Sequence, residues 1–219
     1  SKNTTIADDI NIDDFETAVD DLVIQDPFED VNRAVFSVNK AVDTVVLAPT
    51  ARVYREVVPV WGRDRMDDFL SNLKEPVNFF NAIAQGDPDK ASNSIGRFLI
   101  NSTWGIGGLM DVASEAGVEP APEDFGRTLG FWGVGTGNYV VLPIIGPSST
   151  RDAPGRAVDY LIDPVTYIGG AEFQLGKNGA NLVNTRESLL DFTDNLEKTS
   201  LDEYATIRSI YLQKRQVTK

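Results

Sequence analysis

Histidine and cysteine are both absent from this 219-residue chain, so its reactive side chains are carboxylates, hydroxyls, amides and amines. No thiol nucleophile, Cys/His zinc site, Ser-His-Asp triad or histidine general base can be assembled from them. Carboxylate-pair hydrolysis, Ser-Lys or Thr nucleophiles and oxygen-ligand metal sites survive. Acids are plentiful, with 33 Asp and Glu against 20 Lys and Arg. Asp67-Asp68 and Glu123-Asp124 are adjacent pairs, but neighbours on a helix point apart rather than into one site. A glycosidase-type pair needs two acids converging across a cleft, which adjacency does not provide. No calcium loop of the D-x-D-x-D-G type occurs. The expectation for any one of these acids is a solvated or capping role, with no catalytic residue, metal or cofactor.

Two glycine-rich stretches could in principle cradle a phosphate. Gly105-x-Gly107-Gly108 follows a helical segment, and Gly133-x-Gly135-x-Gly137 leads into an extended one. A dinucleotide fingerprint requires a strand before it and a helix after, and no Gly-Lys-Ser/Thr is present. Neither stretch is a nucleotide site. Asn32, Phe36, Asn39 and Asp43 follow one another at helical spacing. They form a polar-aromatic stripe that either lines a wet passage or faces solvent, and spacing alone favours solvent.

The elements that carry these residues read as helix after helix. Phe28, Val31, Val35, Val38, Val42, Val45 and Val46 mark an amphipathic helix of about five turns. Asp26-Pro27, Asp87-Pro88 and Asp163-Pro164 each place a capping aspartate before a proline suited to a helix start. At the first of these, Glu29 falls where a capping box has its acid. Further helices are expected at 65–73, 77–85, 91–101, 150–162, 180–192 and 201–212. Gly130 to Pro147 breaks the pattern with five glycines, two prolines and a bulky apolar centre. A hairpin-like loop is expected there, covered by the core, a partner or lipid. Residues 1–25 form an acidic arm in which Phe15, Val19, Leu22 and Val23 suggest a short amphipathic helix.

A net charge of −13 argues against binding a nucleic acid backbone, and against docking electrostatically on anionic lipid. No stretch approaches the roughly 20 apolar residues of a spanning helix. The opening Ser1-Lys2-Asn3-Thr4-Thr5 has neither a basic nor an apolar targeting region.

Several blocks, in order, resemble a known family. Asp26-Pro27-Phe28-Glu29, with Asn32-Arg33, Phe36 and Asn39, resembles the opening motif of the MlaA (VacJ) outer-membrane lipoproteins. Glu75-Pro76, Gln85-Gly86-Asp87-Pro88 and Arg97-Phe98 through Asn101, Gly105, Gly108 and Asp111 continue it. Glu123-Asp124-Phe125-Gly126-Arg127-Thr128-Leu129-Gly130 follows with Trp132, Gly133 and Gly135, then Leu142-Pro143, Gly146-Pro147-Ser148 and Arg151-Asp152. The resemblance covers roughly residues 26–168. It implies an all-α fold, a ring-like arrangement of amphipathic helices around a central channel, with one Gly/Pro-rich hairpin-like loop. It also implies a lipoprotein on the periplasmic face of the outer membrane, held in the inner leaflet. Such a protein passes mislocalised phospholipid from the outer leaflet to a periplasmic lipid-carrier protein, beside a trimeric porin. The family's lipidated cysteine is missing, so an anchor is expected ahead of Ser1. On this reading residues 1–25 are a linker, 26–219 a single helical domain, and 170–219 peripheral helices within it. Asn32, Phe36 and Asn39 become candidates for the headgroup path. Gly133, Gly135, Gly137, Tyr139, Val141, Leu142, Pro143 and Ile145 become candidates for the hairpin loop and apolar wall. The competing readings are a scaffold that grips an outer-membrane partner without handling lipid, and a carboxylate-pair hydrolase.

Overall fold

The computed structural model describes residues 26–216, so the acidic arm and the helix expected within it lie outside the described residues. The chain is mostly helical with one small β hairpin. Helix α1 (Glu29–Val42) runs through a π-helical turn (Asp43–Leu47) into α2 (Ala48–Val57) without leaving helical dihedrals. The wide turn has a local cause. Pro49 lacks an N–H, and its ring would collide with the Val45 carbonyl in a regular helix. An i→i−5 bond from Ala48 N to Asp43 O opens the turn just ahead of it. Pro59 ends the run, because the residue before a proline is pushed out of the helical region and Val58 is extended.

Helices α3 (Val60–Asn72), α4 (Glu75–Ala84) and α5 (Pro88–Thr103) follow. Gly86, at φ 68°, closes α4. Asp87 caps α5 as its sequence suggests, accepting from Lys90 N at 3.0 Å. Asp26 behaves differently, because Glu29 turns to Arg33 instead of closing a capping box. Short α6 (Val112–Glu115) and α7 (Phe125–Phe131) lead to strands β1 (Tyr139–Leu142) and β2 (Gly146–Ser149). These pair antiparallel, Tyr139 opposite Ser149 and Leu142 opposite Gly146. The remainder is α8 (Asp152–Ile162), α9 (Val165–Ile168), α10 (Gly170–Ser188), α11 (Leu190–Thr199) and α12 (Glu203–Gln216).

Helix α10 begins ten residues before the expected 180–192 helix and stops short of its end. Gly176 and Gly179 depress its intrinsic propensity, and tertiary contacts override them. The chain packs α10 across α2 and α3, where buried Glu187 accepts from Arg55 Nε at 2.7 Å and also from Arg63. Helix α7 packs on α8 at glycine-only distance, since a Cβ on Gly155 would lie 2.7 Å from Gly126 N.

Inside and outside are exchanged relative to an ordinary soluble domain. The buried set holds more polar and charged side chains than apolar ones, against the usual order. On α1 the valine stripe faces out, with Val31 64%, Val38 61% and Val45 75% exposed, while Asn32 is 3% exposed. All three tryptophans, Trp61, Trp104 and Trp132, are exposed. None of the described helices is long and apolar enough to cross a membrane.

Candidate functional site

The polar stripe of α1 meets the hairpin backbone. Asn32 Nδ2 donates to Tyr139 O at 3.0 Å, and its Oδ1 accepts from Val141 N at 2.9 Å. Two turns on, Asn39 Nδ2 donates to Leu142 O at 2.9 Å and its Oδ1 accepts from Ile144 N at 2.8 Å. A strand edge exposes a row of unpaired donors and acceptors. Here two carboxamides, each a donor and an acceptor, complete that row from a helix. The solvent reading of this stripe fails for Asn32, because β1 needs its side chain inside. Ile144 takes the left-handed conformation at φ 65°, costly for a branched side chain, and Asn39 holds its amide there.

The other face of the hairpin rests on α12. Tyr139 is buried, with the Tyr204 and Tyr211 rings at 6.0 and 5.8 Å in edge contact. Tyr204 donates to Asp26, which also accepts from Arg208 at 3.1 Å and Asn32 at 3.0 Å. Tyr211 donates to buried Asp152 at 2.5 Å, and Arg215 reaches both Asp152 (2.9 Å) and Asp124 (2.8 Å). Burial, then the Asp152 carboxylate, pushes the Tyr211 phenol up to about 12.

Between α1, the π turn, the hairpin, α10 and α11 lies a cavity of about 370 Å³. Phe36, Leu47, Ile144, Leu182 and Ile207 supply apolar wall. Its cations come paired with acids: Arg186 holds Asp43 with two bonds of 2.6 and 2.8 Å, and Arg52 holds Asp194 at 3.2 Å. Lys40 holds Glu203, with Glu197 at 3.4 Å, and the Glu203 hydrogen bond raises its pKa. Such a lining takes up a molecule with apolar and charged parts.

Of the residues singled out in the sequence, Phe36 and Asn39 line this cavity. Asn32, Tyr139 and Val141 are buried in packing. Leu142 and Pro143 lead into the turn, and Ile145 is 60% exposed beside it. Gly133 and Gly137 have positive φ and shape the loop with Gly135, and a Cβ on Gly137 would strike Thr150 Oγ1. Sequence reasoning missed Lys40, Arg52 and Arg186, and placed Asp43 on the polar stripe without its partner. A signal existed in Pro49, which forces the π turn carrying Asp43, but nothing local joins it to Arg186, 143 positions on.

The family described as MlaA lipoprotein matches residues 24–218. The chain belongs to the MlaA lipoprotein family. The match takes in the C-terminal helices, beyond the 26–168 span of the motifs. The chain is similar to the intermembrane phospholipid transport system lipoprotein MlaA of Escherichia coli, 35% identical over 86% of this chain and 76% of that protein. It is similar to the same-named protein of Haemophilus influenzae, 36% identical over 87% and 78%. An uncharacterized Rickettsia bellii protein is 38% identical over 89% and 77%. A chain solved in work on the structural basis for maintenance of bacterial outer membrane lipid asymmetry superposes with a TM-score of 0.79. It is 36% identical, over 89% of this chain and 98% of that one. These MlaA relatives are named for transport, not for catalysis.

Proposed function

We propose that this chain is an outer-membrane lipoprotein, facing the periplasm, that moves mislocalised phospholipid out of the outer leaflet and so preserves lipid asymmetry. On this reading α1, α2, α10, α11 and α12, which line the 370 Å³ cavity with the hairpin, belong to a ring of helices lying at the inner leaflet. The observation that carries this reading is the inverted α1 helix, with valines turned outward and asparagines inward. Lipid tails satisfy an exposed valine stripe as water does not. An amphipathic helix that crosses no bilayer is suited to lie in its interface, and exposed tryptophans are the usual anchors there. Phospholipid tails follow the apolar wall of Phe36, Leu47, Leu182 and Ile207 while the headgroup exchanges contacts with the Arg186–Asp43 and Arg52–Asp194 pairs. Asn32 and Asn39 act on this path by holding the hairpin that forms one side of it, with Tyr139 and Val141 as the hairpin's inner support. A periplasmic lipid-carrier protein receives the lipid, and a trimeric porin is the membrane partner. Transport down a gradient needs no bond chemistry, which fits a chain without histidine or cysteine.

Thr185 faces the cavity from α10. Thr185→Trp narrows the path without touching an ion pair, so outer-leaflet phospholipid rises in cells carrying it at normal protein level. Unchanged asymmetry at that level would count against the path and favour a scaffold.

A further inference from the structure

Two further cavities adjoin each other away from the main one. The first, of about 380 Å³, is lined by Asp67, Asp68, Asn72, Glu75 and Asp111. The second, of about 280 Å³, is lined by Leu73, Val77, Asn178 and Asn181 among others. Lys74 and Asn78 belong to both.

The acidic cavity holds a buried acceptor that lacks a donor. Asn72 is 3% exposed, its Nδ2 donates to Ser102 Oγ at 3.0 Å, and its Oδ1 has no hydrogen-bond partner. Asp68 Oδ2 is also buried without one, because Arg65 Nη2 sits 3.0 Å away but out of hydrogen-bonding alignment. Burial, helped by the charges of Asp111 and Asp67, raises the Asp68 pKa against Arg65 and a backbone hydrogen bond from Asp111. Glu75 and Asp111, by contrast, are taken up by Arg97 at 2.9 and 2.8 Å. Buried polar groups are nearly always hydrogen-bonded, so two orphan acceptors in one cavity point to a missing donor.

The junction has the opposite shortage. Lys74 makes no ion pair among the described residues, whereas Lys177 across the second cavity is held by Asp163 at 2.8 Å. Packing around the Lys74 ammonium lowers its pKa, with Asp67 raising and Lys177 lowering it further. Asn178 and Asn181 line the same cavity and make no side-chain hydrogen bond among the described residues.

We propose that the two cavities together hold a zwitterionic phosphoethanolamine-type headgroup, its ammonium on Asn72 Oδ1 and Asp68 and its phosphate on Lys74. This rests on the reading of the chain as a phospholipid transporter and names the headgroup it prefers. An ammonium brings three donors to acceptors that lack them. A phosphoglycerol headgroup brings a net negative charge, uncompensated, against Asp67, Asp68, Glu75 and Asp111.

The test is calorimetric titration of the full chain with dihexanoyl phosphatidylethanolamine, dihexanoyl phosphatidylglycerol and phosphoethanolamine. The ethanolamine lipid is expected to bind about tenfold more tightly than the glycerol lipid, as one charge-assisted contact allows. Asn72→Leu and Asp68→Asn each shrink that ratio toward one, and Lys74→Gln weakens both lipids together. Lys198→Gln on α11, which changes net charge away from the cavities, preserves the ratio. Equal affinity of the native chain for both lipids overturns the headgroup site and leaves transport standing, whatever the variants do. An undiminished ratio in well-folded Asn72→Leu and Asp68→Asn also overturns it. Phosphoethanolamine binding that needs Asn72, without lipid binding, keeps the site and removes the transport reading. Binding by none of the three removes both.

Discussion

Asp111 shows how a single side chain can organise a segment in this protein. Burial alone would raise its pKa, but hydrogen bonds from Ser114, Arg97 and Asn101 outweigh that and hold the carboxyl down at about 2. Arg97 is 4% exposed and also reaches Glu75 and the Val118 carbonyl, so α4, α5 and the loop after α6 meet on one guanidinium. A carboxylate with a depressed pKa stabilises the fold above its unfolded value of 3.8, and the contribution disappears as pH falls through 2. After solvent screening the Asp111 share is about 1 kcal/mol. Denaturant titrations between pH 5 and pH 2 are expected to show native stability falling more steeply than that of Asp111→Asn. Parallel curves would mean that the hydrogen bonds survive protonation. The sequence marked Arg97, Asn101 and Asp111 only through family resemblance, because a buried arginine has no local signature. Its partners come from three separate segments.

The helix–hairpin contact is the element-level counterpart. Helix α1 and strand β1 are over 90 residues apart, and neither is complete alone. The strand lacks backbone partners on one edge, and the helix lacks a solvent-like environment for its amides. Asn32→Leu keeps the volume but removes both hydrogen bonds to β1 and the one to Asp26, leaving the buried Tyr139 carbonyl and Val141 amide without their helix partner. Such groups cost about 1–3 kcal/mol each, so a loss of about 3 kcal/mol is expected in denaturant unfolding, with earlier proteolysis in residues 133–150. A loss below about 1 kcal/mol would mean that water replaces Asn32. The elements themselves were largely legible: the α1 periodicity, the Asp87 cap and the extended segment after Gly137 all stand in the sequence. What was not legible is which face of α1 turns inward. Periodicity reports two faces and is silent on the solvent each one meets. The polar, glycine-bearing α10 was underestimated for a related reason. Its residues are chosen to face a polar cavity, so it lacks the apolar stripe by which a core helix is recognised.

For the whole molecule, the exposed valines and tryptophans, the buried asparagines and the paired charges around the cavity describe one arrangement. The outside is compatible with lipid and the inside with water and headgroups. Membership of the MlaA lipoprotein family gives that arrangement a purpose, the movement of phospholipid. An ordinary soluble domain of this size would bury its valines and would expose Asn32, and its acidic surface would serve solubility alone. The central claim is that phospholipid occupies the 370 Å³ cavity rather than merely surrounding the protein. Leu182 separates the two, because it lines the cavity from α10 and is half-buried, whereas Val45 is 75% exposed, lies outside the cavity lining and can meet bulk lipid. The most direct measurement places a photo-crosslinking residue at position 182 in native outer membranes and reads the adducts by mass spectrometry. The account predicts phospholipid adducts at 182 that fall in Thr185→Trp. Adducts to protein alone at 182, with lipid adducts confined to position 45, would contradict it.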